Sequence, residues 1–267
     1  MTIELKQRGW RRSPAAPGTA RAGRFAAAAA KLLCLAALSC GASQAPALAA
    51  GRADSPATAA TGAQAGASLL KRASFGRQRA SEPVRQLARW VVDSDDNRGM
   101  PFVIVDKVEA SVFVFAAGGR LSGAAAALLG AAHGDDAVLG IGQRALSSIE
   151  PGERTTPAGR FIASLGRNSH GHLILWVDYD NAISLHPVVA GTRVERRAER
   201  LGTPSPLDNR ISYGCINVPL RFFQTVVGPA FKKSSGVVYV LPETRPARAV
   251  FASYDVDERA AAPLAAP

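Results

Sequence analysis

The sequence predicts a mainly β domain with a few short helices. About six or seven segments rich in Val, Ile, Leu and Phe lie between turn residues in the part of the chain from 100 to 243, a pattern typical of strands. Apolar residues at helical spacing are confined to short stretches. Hydrophobic residues make up 47% of the 267-residue chain, which is enough for a packed core and excludes a wholly disordered protein.

The strand prediction begins with two apolar runs. Residues 102–107 and 111–115 are predicted to be strands, with a turn at 108–110. Residues 122–132 are rich in small side chains and are compatible with either a strand or a loop. The remaining predicted strands span residues 159–165, 173–179, 182–186 and 236–241.

Helices are predicted on both sides of these strands. Residues 83–92 carry apolar side chains at helical spacing, and residues 219–227 do so as well, before Gly228-Pro229 ends the pattern. Between them, the polar stretch 190–210 has room for one short helix before the Pro-rich turn at 203–206.

Residues 1–49 are predicted to be a secretory signal peptide. They hold seven basic residues and one acidic residue, then the apolar run 32–39 and the small-residue pattern Ala47-Leu48-Ala49. The run is shorter than the roughly 20 residues that cross a bilayer. Two alternatives stay open: a disordered basic arm, and a lipoprotein leader cut before Cys40, which alone would attach the protein to a membrane.

The rest of the chain divides into four predicted segments. Residues 50–81 are a low-complexity flexible tether, 82–99 a short helix and linker, 100–243 the β domain, and 244–267 a loosely held Ala/Pro-rich tail. The net charge is +11, of which the signal peptide carries more than half. The remaining charge, without a recognition helix or interleaved aromatic and basic residues, does not predict a nucleic-acid partner.

Cysteine usage directs attention to one residue. Three cysteines in the whole chain exclude a disulfide-stapled scaffold and a multi-cysteine metal module. Cys34 and Cys40 leave with the signal peptide on the soluble interpretation, so Cys215 remains as a single thiol. Such a thiol is either buried and unreactive or takes part in the chemistry of the protein.

Cys215 has neighbours that suit a nucleophile. A free thiol of pKa about 8.5 is only a few per cent ionised at neutral pH, so a nucleophilic cysteine needs an imidazole or backbone N–H groups beside it. Gly214 allows a tight backbone before the thiol, and His186 ends a strand that Pro187 terminates. From the residues alone, the alternative of a buried cysteine and a polar strand end stays open.

A resemblance favours the catalytic interpretation. His186 followed by Ser212-Tyr213-Gly214-Cys215-Ile216-Asn217-Val218 resembles the signature of the L,D-transpeptidase (YkuD-type) catalytic domain. Thr156-Pro157-Ala158-Gly159-Arg160-Phe161 looks like the T-P-x-G-x-F segment of that family, and 102–115 and 236–241 are similar to its first and last strands. The resemblance covers residues 100–243 and implies an L,D-transpeptidase-like β-sandwich as the catalytic domain.

The resemblance also implies roles for individual residues. Cys215 is expected to be the nucleophile that forms a thioester, and His186 its general base. Ser212 is expected to shape the motif turn. Gly214 and Cys215 are expected to offer backbone N–H groups to the oxyanion, with Tyr213 beside them.

Further positions concern substrate binding and departures from the family pattern. Asn217 is expected to hold the motif loop or to contact substrate. Arg210 is a candidate for a stem-peptide carboxylate, although an ion pair with Asp208 or simple exposure is the favoured interpretation. Pro187 stands where Gly or Ser is common, but its carbonyl can still orient the imidazole. The long insert 188–210 is expected to form a lid or rim.

Three more polar and aromatic residues carry no site prediction. His170 and His172 are interpreted as surface turn residues without a third ligand, so no metal is predicted. Trp176 is expected in the core.

The function that the resemblance implies is exported acyl transfer on peptidoglycan. The donor is a stem peptide that loses its terminal D-Ala, and an amine acceptor yields a 3→3 cross-link; water as acceptor would make the chain a carboxypeptidase. No cofactor is implied, and carbapenem acylation is a further expectation. The periplasm or cell envelope is the expected location. A sortase has the same His-before-Cys order, but the glycine before Cys215 and the T-P-x-G-x-F segment do not fit that class. A non-catalytic wall-binding module is the other alternative, although the presence of both Cys215 and His186 argues against it.

Overall fold

The computed structural model describes residues 72–261 and is mainly β with short helices, which confirms the predicted fold class. The strands are Phe102–Asp106 (β1), Ser111–Phe115 (β2), Leu121–Ala126 (β3), Leu129–Gly130 (β4), Gly159–Arg167 (β5), Leu173–Asp178 (β6), Ile183–Pro187 (β7), Arg210–Ser212 (β8), Ile216–Val218 (β9) and Gly236–Val240 (β10). The helices are Glu82–Ser94 (α1), Arg197–Arg200 (α2), Leu220–Phe222 (α3), Gly228–Phe231 (α4), Ala247–Phe251 (α5) and Val256–Ala261 (α6), with a π-helical turn at Phe223–Val227. Short 3₁₀ turns occur at Ile141–Gln143, Leu146–Ser148, Pro151–Glu153 and Leu207–Asn209.

One curled sheet forms the body of the domain. Eight strands follow the order β3-β2-β1-β10-β5-β6-β7-β9, and β4 pairs with β8 in a separate ribbon. Reciprocal backbone hydrogen bonds of 2.8 and 2.9 Å between Leu128, just after β3, and Asn217 in β9 join the two ends of the large sheet. The sheet is therefore nearly closed around its inner core.

The central strands are buried on both faces, and alternate residues supply two separate cores. In β1, Val103 and Val105 lie in the inner core, whereas Phe102 and Ile104 lie in the outer one. Side chains of a strand point alternately to opposite faces, so a strand covered on both sides needs a continuous apolar run. That is why the segment reads as unbroken hydrophobic sequence.

Helices α1, α5 and α6 cover the outer core. Ser81 caps α1 by accepting a hydrogen bond from the Val84 N–H, and this helix buries its apolar face. In the segment predicted to be a loosely held tail, Phe251 and Val256 are buried in the same core. The prediction of a loose tail is therefore wrong up to residue 261, because apolar side chains of α5 and α6 anchor it.

The chain before α1 also lies on the sheet. Ser74 exchanges backbone hydrogen bonds with Gly119 and Leu121, and the ring of Phe75 packs edge-on against Phe115 at 5.3 Å. Residues 72–81, placed in the predicted tether, thus pack against the sheet. The predicted signal peptide and residues 50–71 of the tether lie outside the described residues.

Several local predictions need correction or completion. Residues 122–132 resolve mainly into β3 and β4. The helix predicted to end before Gly228-Pro229 continues through them: the π-helical turn Phe223–Val227 runs directly into α4, whose first turn contains Pro229. Trp176 is half-buried and not in either core; its ring packs at 5.1 Å against exposed Tyr179. No helix within residues 72–261 is long and apolar enough to cross a bilayer.

A buried ionic cluster ties the end of the domain to its first hairpin. The Lys107 ammonium is fully buried and donates to Asp135 at 2.7 Å and to the Gly134 carbonyl at 2.6 Å. Glu243 lies 3.5 Å from the same ammonium and also pairs with Arg210. Burial opposes ionisation of Asp135, but the hydrogen bonds from Lys107 and from Thr244 hold the pKa of this carboxyl far below its usual range.

Removal of the Lys107 ammonium should destabilise the fold. Lys107→Met leaves Asp135 as a buried charge without its main partner, so we expect a loss of about 3–5 kcal/mol in the free energy of unfolding, measured by urea titration. Lys233→Met, at an exposed lysine, is the control and should change stability by less than about 0.5 kcal/mol. Equal stability of the two variants would contradict the role assigned to the cluster.

Candidate active site

The parallel pairing of β7 with β9 brings the two predicted catalytic residues together. His186 stands opposite Asn217 and Leu185 opposite Ile216 in this ladder. Cys215 directly precedes β9, and its sulfur lies 3.6 Å from the hydroxyl of Ser184, two residues before His186 on the same strand. Residues separated by two positions share one face of a strand, so Ser184, His186 and Cys215 form one cluster.

The imidazole of His186 is held in one orientation. Its Nδ1 lies 2.8 Å from the Pro187 carbonyl oxygen, which can only accept a hydrogen bond. Nδ1 therefore carries the proton, and Nε2 is the nitrogen available for proton exchange. The side-chain nitrogen Nδ2 of Asn217 lies 3.3 Å from this Nε2. The Pro187 carbonyl thus orients the ring as the sequence predicted for this position.

His186 and Cys215 ionise as a pair. Burial lowers the pKa of His186, but the hydrogen bond and negative charge of Cys215, together with the Pro187 carbonyl, raise it to a net value above the ordinary one. Burial raises the pKa of the Cys215 thiol, but the His186 hydrogen bond and charge and the contacts with Ser184 lower it overall. Both shifts favour a thiolate beside an imidazolium.

Ser212 shapes the motif turn. Its hydroxyl accepts from the Gly214 N–H at 3.0 Å and donates to the Cys215 carbonyl at 2.6 Å. This arrangement corrects one expectation, since the Gly214 N–H is already engaged by Ser212 and does not face an oxyanion. Of the two backbone donors that the resemblance implied, the N–H of Cys215 remains.

Gly214 is required by the backbone conformation of this turn. Its φ is +125°, and a Cβ at this position would lie 2.6 Å from the Thr155 carbonyl oxygen and 2.8 Å from the Ile183 side chain. Side chains other than hydrogen are strained at such φ values. The glycine thus lets the chain pass close to Thr155 just before the thiol.

Tyr213 faces a cation that the sequence did not indicate. The Arg154 guanidinium lies 4.1 Å from the centre of the Tyr213 ring and is itself held by the Ile149 carbonyl. A guanidinium over an aromatic face is attractive and fixes the plane of the ring. The ring of Tyr213 is thus held in place within the motif turn.

Asn217 links the histidine, the motif loop and the insert. Besides its contact with His186, its Nδ2 lies 3.3 Å from the Cys215 carbonyl, and its Oδ1 accepts from Arg197 at 3.2 Å. Arg197 begins α2 inside the insert 188–210 and is paired with Glu195 at 2.9 Å. Of the two expected roles, the contacts of Asn217 correspond to holding the loop.

Two residues of the site, Ser184 and Arg197, were not predicted from the sequence. Ser184 contacts the thiol, and the guanidinium of Arg197 lowers the pKa of His186 through its positive charge. Ser184 lies two residues before His186 on the same strand, and this spacing could have indicated that both side chains share one face. No comparable signal existed for Arg197, which sits in a stretch of alternating charges.

Arg210 is engaged in the ionic cluster. Its guanidinium donates to Glu243 and, at 2.7 Å, to the Lys107 carbonyl, and its side chain is only 9% exposed. The predicted ion pair with Asp208 is therefore wrong, because β8 turns the side chain toward the end of β10. Because its N–H groups are bound to Glu243 and to the Lys107 carbonyl, they are not directed at a substrate carboxylate either.

His170 and His172 lie in the exposed turn between β5 and β6, as predicted. Their backbone N–H groups both donate to the Asn168 side chain at 3.0 Å. Within residues 72–261, no group of three or more His, Cys, Asp and Glu side chains is placed to hold a metal ion.

A groove of about 870 Å³ opens beside the histidine. His186, Pro187 and Val188 form part of its wall, Phe223 and Leu220 contribute apolar surface, and Lys232 lies on its lining as well. The start of the insert therefore borders this groove.

Comparisons with known proteins give distant structural neighbours. The chain matches no protein-family model, and it matches no curated protein. Among solved structures, it is similar to the helical cell shape determining protein Pgp2 from Campylobacter jejuni, with 15% identity and a TM-score of 0.40 over 60% of this chain and 52% of that one. This chain thus spans about half the length of the Pgp2 structure.

Two further neighbours are transpeptidases. The catalytic domain of the E. faecium L,D-transpeptidase is 16% identical, with a TM-score of 0.28 over 53% of this chain and 96% of that one. The LD transpeptidase LdtMt1 in complex with imipenem is 15% identical, with a TM-score of 0.29 over 53% and 58%. At these identities and scores, the neighbours assign neither an activity nor residue roles to this chain.

The paired ionisation of Cys215 and His186 predicts an unusual pH profile for thiol alkylation. The thiolate is the reactive form and exists above the Cys215 pKa, so a lowered pKa should keep iodoacetamide alkylation fast below the usual midpoint of about 8.5. In His186→Gln the burial remains while the cation is lost, so the midpoint should move to higher pH. The measurement uses chains carrying Cys34→Ala and Cys40→Ala, in which Cys215 is the sole thiol.

The control for this profile is His170→Gln, at an exposed turn histidine. It should alkylate with an unchanged midpoint. A midpoint in His186→Gln that equals that of the parent chain would show that the imidazole does not stabilise the thiolate.

Proposed function

We propose that this chain is an exported cysteine acyltransferase that acts on peptidoglycan. Cys215 attacks the carbonyl of the third residue, a diamino acid, in a tetrapeptide stem and expels the terminal D-Ala. The resulting thioester passes its acyl group to an amine, which forms a 3→3 cross-link. The substrate class rests on the resemblance of residues 212–218 and 156–161 to the L,D-transpeptidase motifs.

The observation that carries the proposal is the oriented His186–Cys215 pair. Because Nδ1 of His186 is bound to the Pro187 carbonyl, Nε2, which lies beside the Asn217 amide, is the ring nitrogen that can exchange a proton. The pKa of the neighbouring thiol is lowered mainly because this imidazole is present, against the opposing effect of burial. A buried structural cysteine needs no such partner, and its burial alone would raise its pKa.

His186 and Cys215 account for every proton transfer and charge change of the reaction. The thiolate adds to the carbonyl, and the oxyanion that forms collapses to the thioester while His186 gives its Nε2 proton to the departing amine of D-Ala. A neutral acceptor amine then attacks the thioester, and Nε2 takes the proton that this amine loses. The thiolate leaves and the initial ion pair is restored.

Export to the periplasm or cell envelope is part of the proposal. It rests on the basic segment, the short apolar run and the Ala47-Leu48-Ala49 pattern of residues 1–49. Cross-linked peptidoglycan lies outside the cytoplasmic membrane, so an enzyme that cross-links it has to be exported. A carbapenem, whose strained lactam carbonyl can accept the same thiolate, is proposed as an acylating inhibitor.

The test is intact-mass analysis after incubation with a disaccharide-tetrapeptide. We expect a covalent adduct on the full chain and release of D-Ala, both absent in Cys215→Ala. The matched control, Cys34→Ala with Cys40→Ala, removes the two other thiols and should keep the adduct. A parallel incubation with a carbapenem should give an adduct on the same residue.

The products separate the two possible acceptors. A cross-linked dimer indicates an amine acceptor, whereas a free tripeptide stem indicates water and hence carboxypeptidase activity. Absence of both adduct and D-Ala release would overturn the proposal in favour of a binding module.

A further inference from the structure

Thr156 occupies a central position next to the motif turn. Its side chain is buried, with the residue only 1% exposed, and the hydroxyl joins two segments that are distant in sequence. It accepts from the Gly130 N–H at 2.9 Å and donates to the Gly214 carbonyl at 2.8 Å. Thr156 is the first residue of the T-P-x-G-x-F segment, and the proposed reaction assigns no role to any residue of this segment.

The threonine is itself held by the ionic cluster. Its backbone carbonyl accepts from the fully buried Lys107 ammonium at 3.1 Å. The same ammonium is bound by Asp135 and by the Gly134 carbonyl. Because a buried ion pair with all its hydrogen bonds made has little freedom to move, the hydroxyl of Thr156 is presented from a rigid base.

The hydrogen bond from Thr156 sets the direction of a neighbouring N–H. Gly214 and Cys215 share one peptide group, which is planar, and in its trans form the C=O and N–H point in opposite directions. When the Gly214 carbonyl is directed at Thr156, the Cys215 N–H is directed away from it. Gly214 has a φ of +125° and no side chain, so its own conformational preferences do little to hold this peptide plane.

Ser212 holds the adjoining groups but not this one. Its hydroxyl engages the Gly214 N–H and the Cys215 carbonyl, the peptide groups on either side of the Gly214–Cys215 link. The link between the two residues is bound by Thr156 alone among the side-chain contacts of the described residues. The two hydroxyls therefore have separate tasks.

We propose that Thr156 is a positioning residue for acyl transfer: through the Gly214 carbonyl it aims the Cys215 N–H at the oxyanion of the intermediate. This inference rests on the proposed function, because only an acyl-transfer reaction develops an oxyanion at this place. Donors aimed in advance at developing charge stabilise the transition state without reorganising during the reaction.

Two reactions of Cys215 separate this role from a merely structural one. Acylation by p-nitrophenyl acetate passes through an oxyanion and releases nitrophenolate, whereas alkylation by iodoacetamide is a displacement at carbon without an oxyanion. In Thr156→Val the hydroxyl is replaced by a methyl group of similar size. We expect acylation to fall at least about tenfold and alkylation to stay within about twofold of the parent rate, all in chains lacking Cys34 and Cys40.

A rescue variant and a control variant complete the experiment. Thr156→Ser retains the hydroxyl and should restore acylation. Thr225→Val removes an exposed hydroxyl that donates to the Arg221 carbonyl, and this variant should match the parent in both reactions. If Thr156→Val is recovered unfolded, Thr156→Ala replaces it, with the same expected fall in the ratio of acylation to alkylation. Equal changes of both rates, or no change in either, would overturn the inference.

The ester probe also keeps the two proposals apart. A parent chain that is acylated by the ester but not by the disaccharide-tetrapeptide would contradict the peptidoglycan substrate and leave the Thr156 comparison valid. A parent chain that is acylated by both, with the ratio unaffected by Thr156→Val, would contradict the role of Thr156 alone.

Discussion

The parallel pairing of β7 with β9 is the constraint on which the site depends. It sets His186 beside Asn217 and, two positions back, Ser184 beside Cys215. Parallel neighbours cannot be joined by a tight turn, so the chain needs a crossover of a dozen or more residues between them. The insert 188–210 lies in this connection and carries Arg197 to the Oδ1 of Asn217. The topology therefore requires a long connection between His186 and Cys215, and this crossover also supplies a charge to the site.

The closure of the sheet and the motif turn are coupled through the same strand. Asn217 binds Leu128 through its backbone, which joins the two ends of the large sheet, and binds His186 through its side chain. The N–H of Gly130, two residues after Leu128, donates to the Thr156 hydroxyl, which in turn donates to the Gly214 carbonyl. The motif turn is thus held from the sheet on one side and from the ionic cluster on the other.

Sequence patterns predicted those parts of the fold that depend on local periodicity. β1, β2, β6 and β10 are apolar runs whose lengths match strands. His186 and Cys215 became candidates because few residue types can serve as base and nucleophile, and the resemblance of residues 212–218 favoured them. β8 and β9 escaped prediction because each has three residues and together they flank what reads as a turn. The partners of Arg210 and Lys107 lie 33 and 28 residues away. In sequence, charges so far apart are indistinguishable from solvated ones, so neither the buried cluster nor its contact with Thr156 could be foreseen.

The charges around His186 suit both halves of the proposed reaction. Burial lowers the pKa of this imidazole and so does the positive charge of Arg197, whereas Cys215 raises it. Once the thiolate sulfur has bonded to the substrate carbonyl carbon, its negative charge has passed to the carbonyl oxygen, while the burial and Arg197 remain. The pKa of His186 must then fall, which drives its proton toward the departing amine and leaves a neutral Nε2 for the acceptor. Loss of the negative charge on this one sulfur therefore moves the imidazole from a stabilising cation toward a proton donor, and the neutral ring that results can act as the base for the acceptor amine.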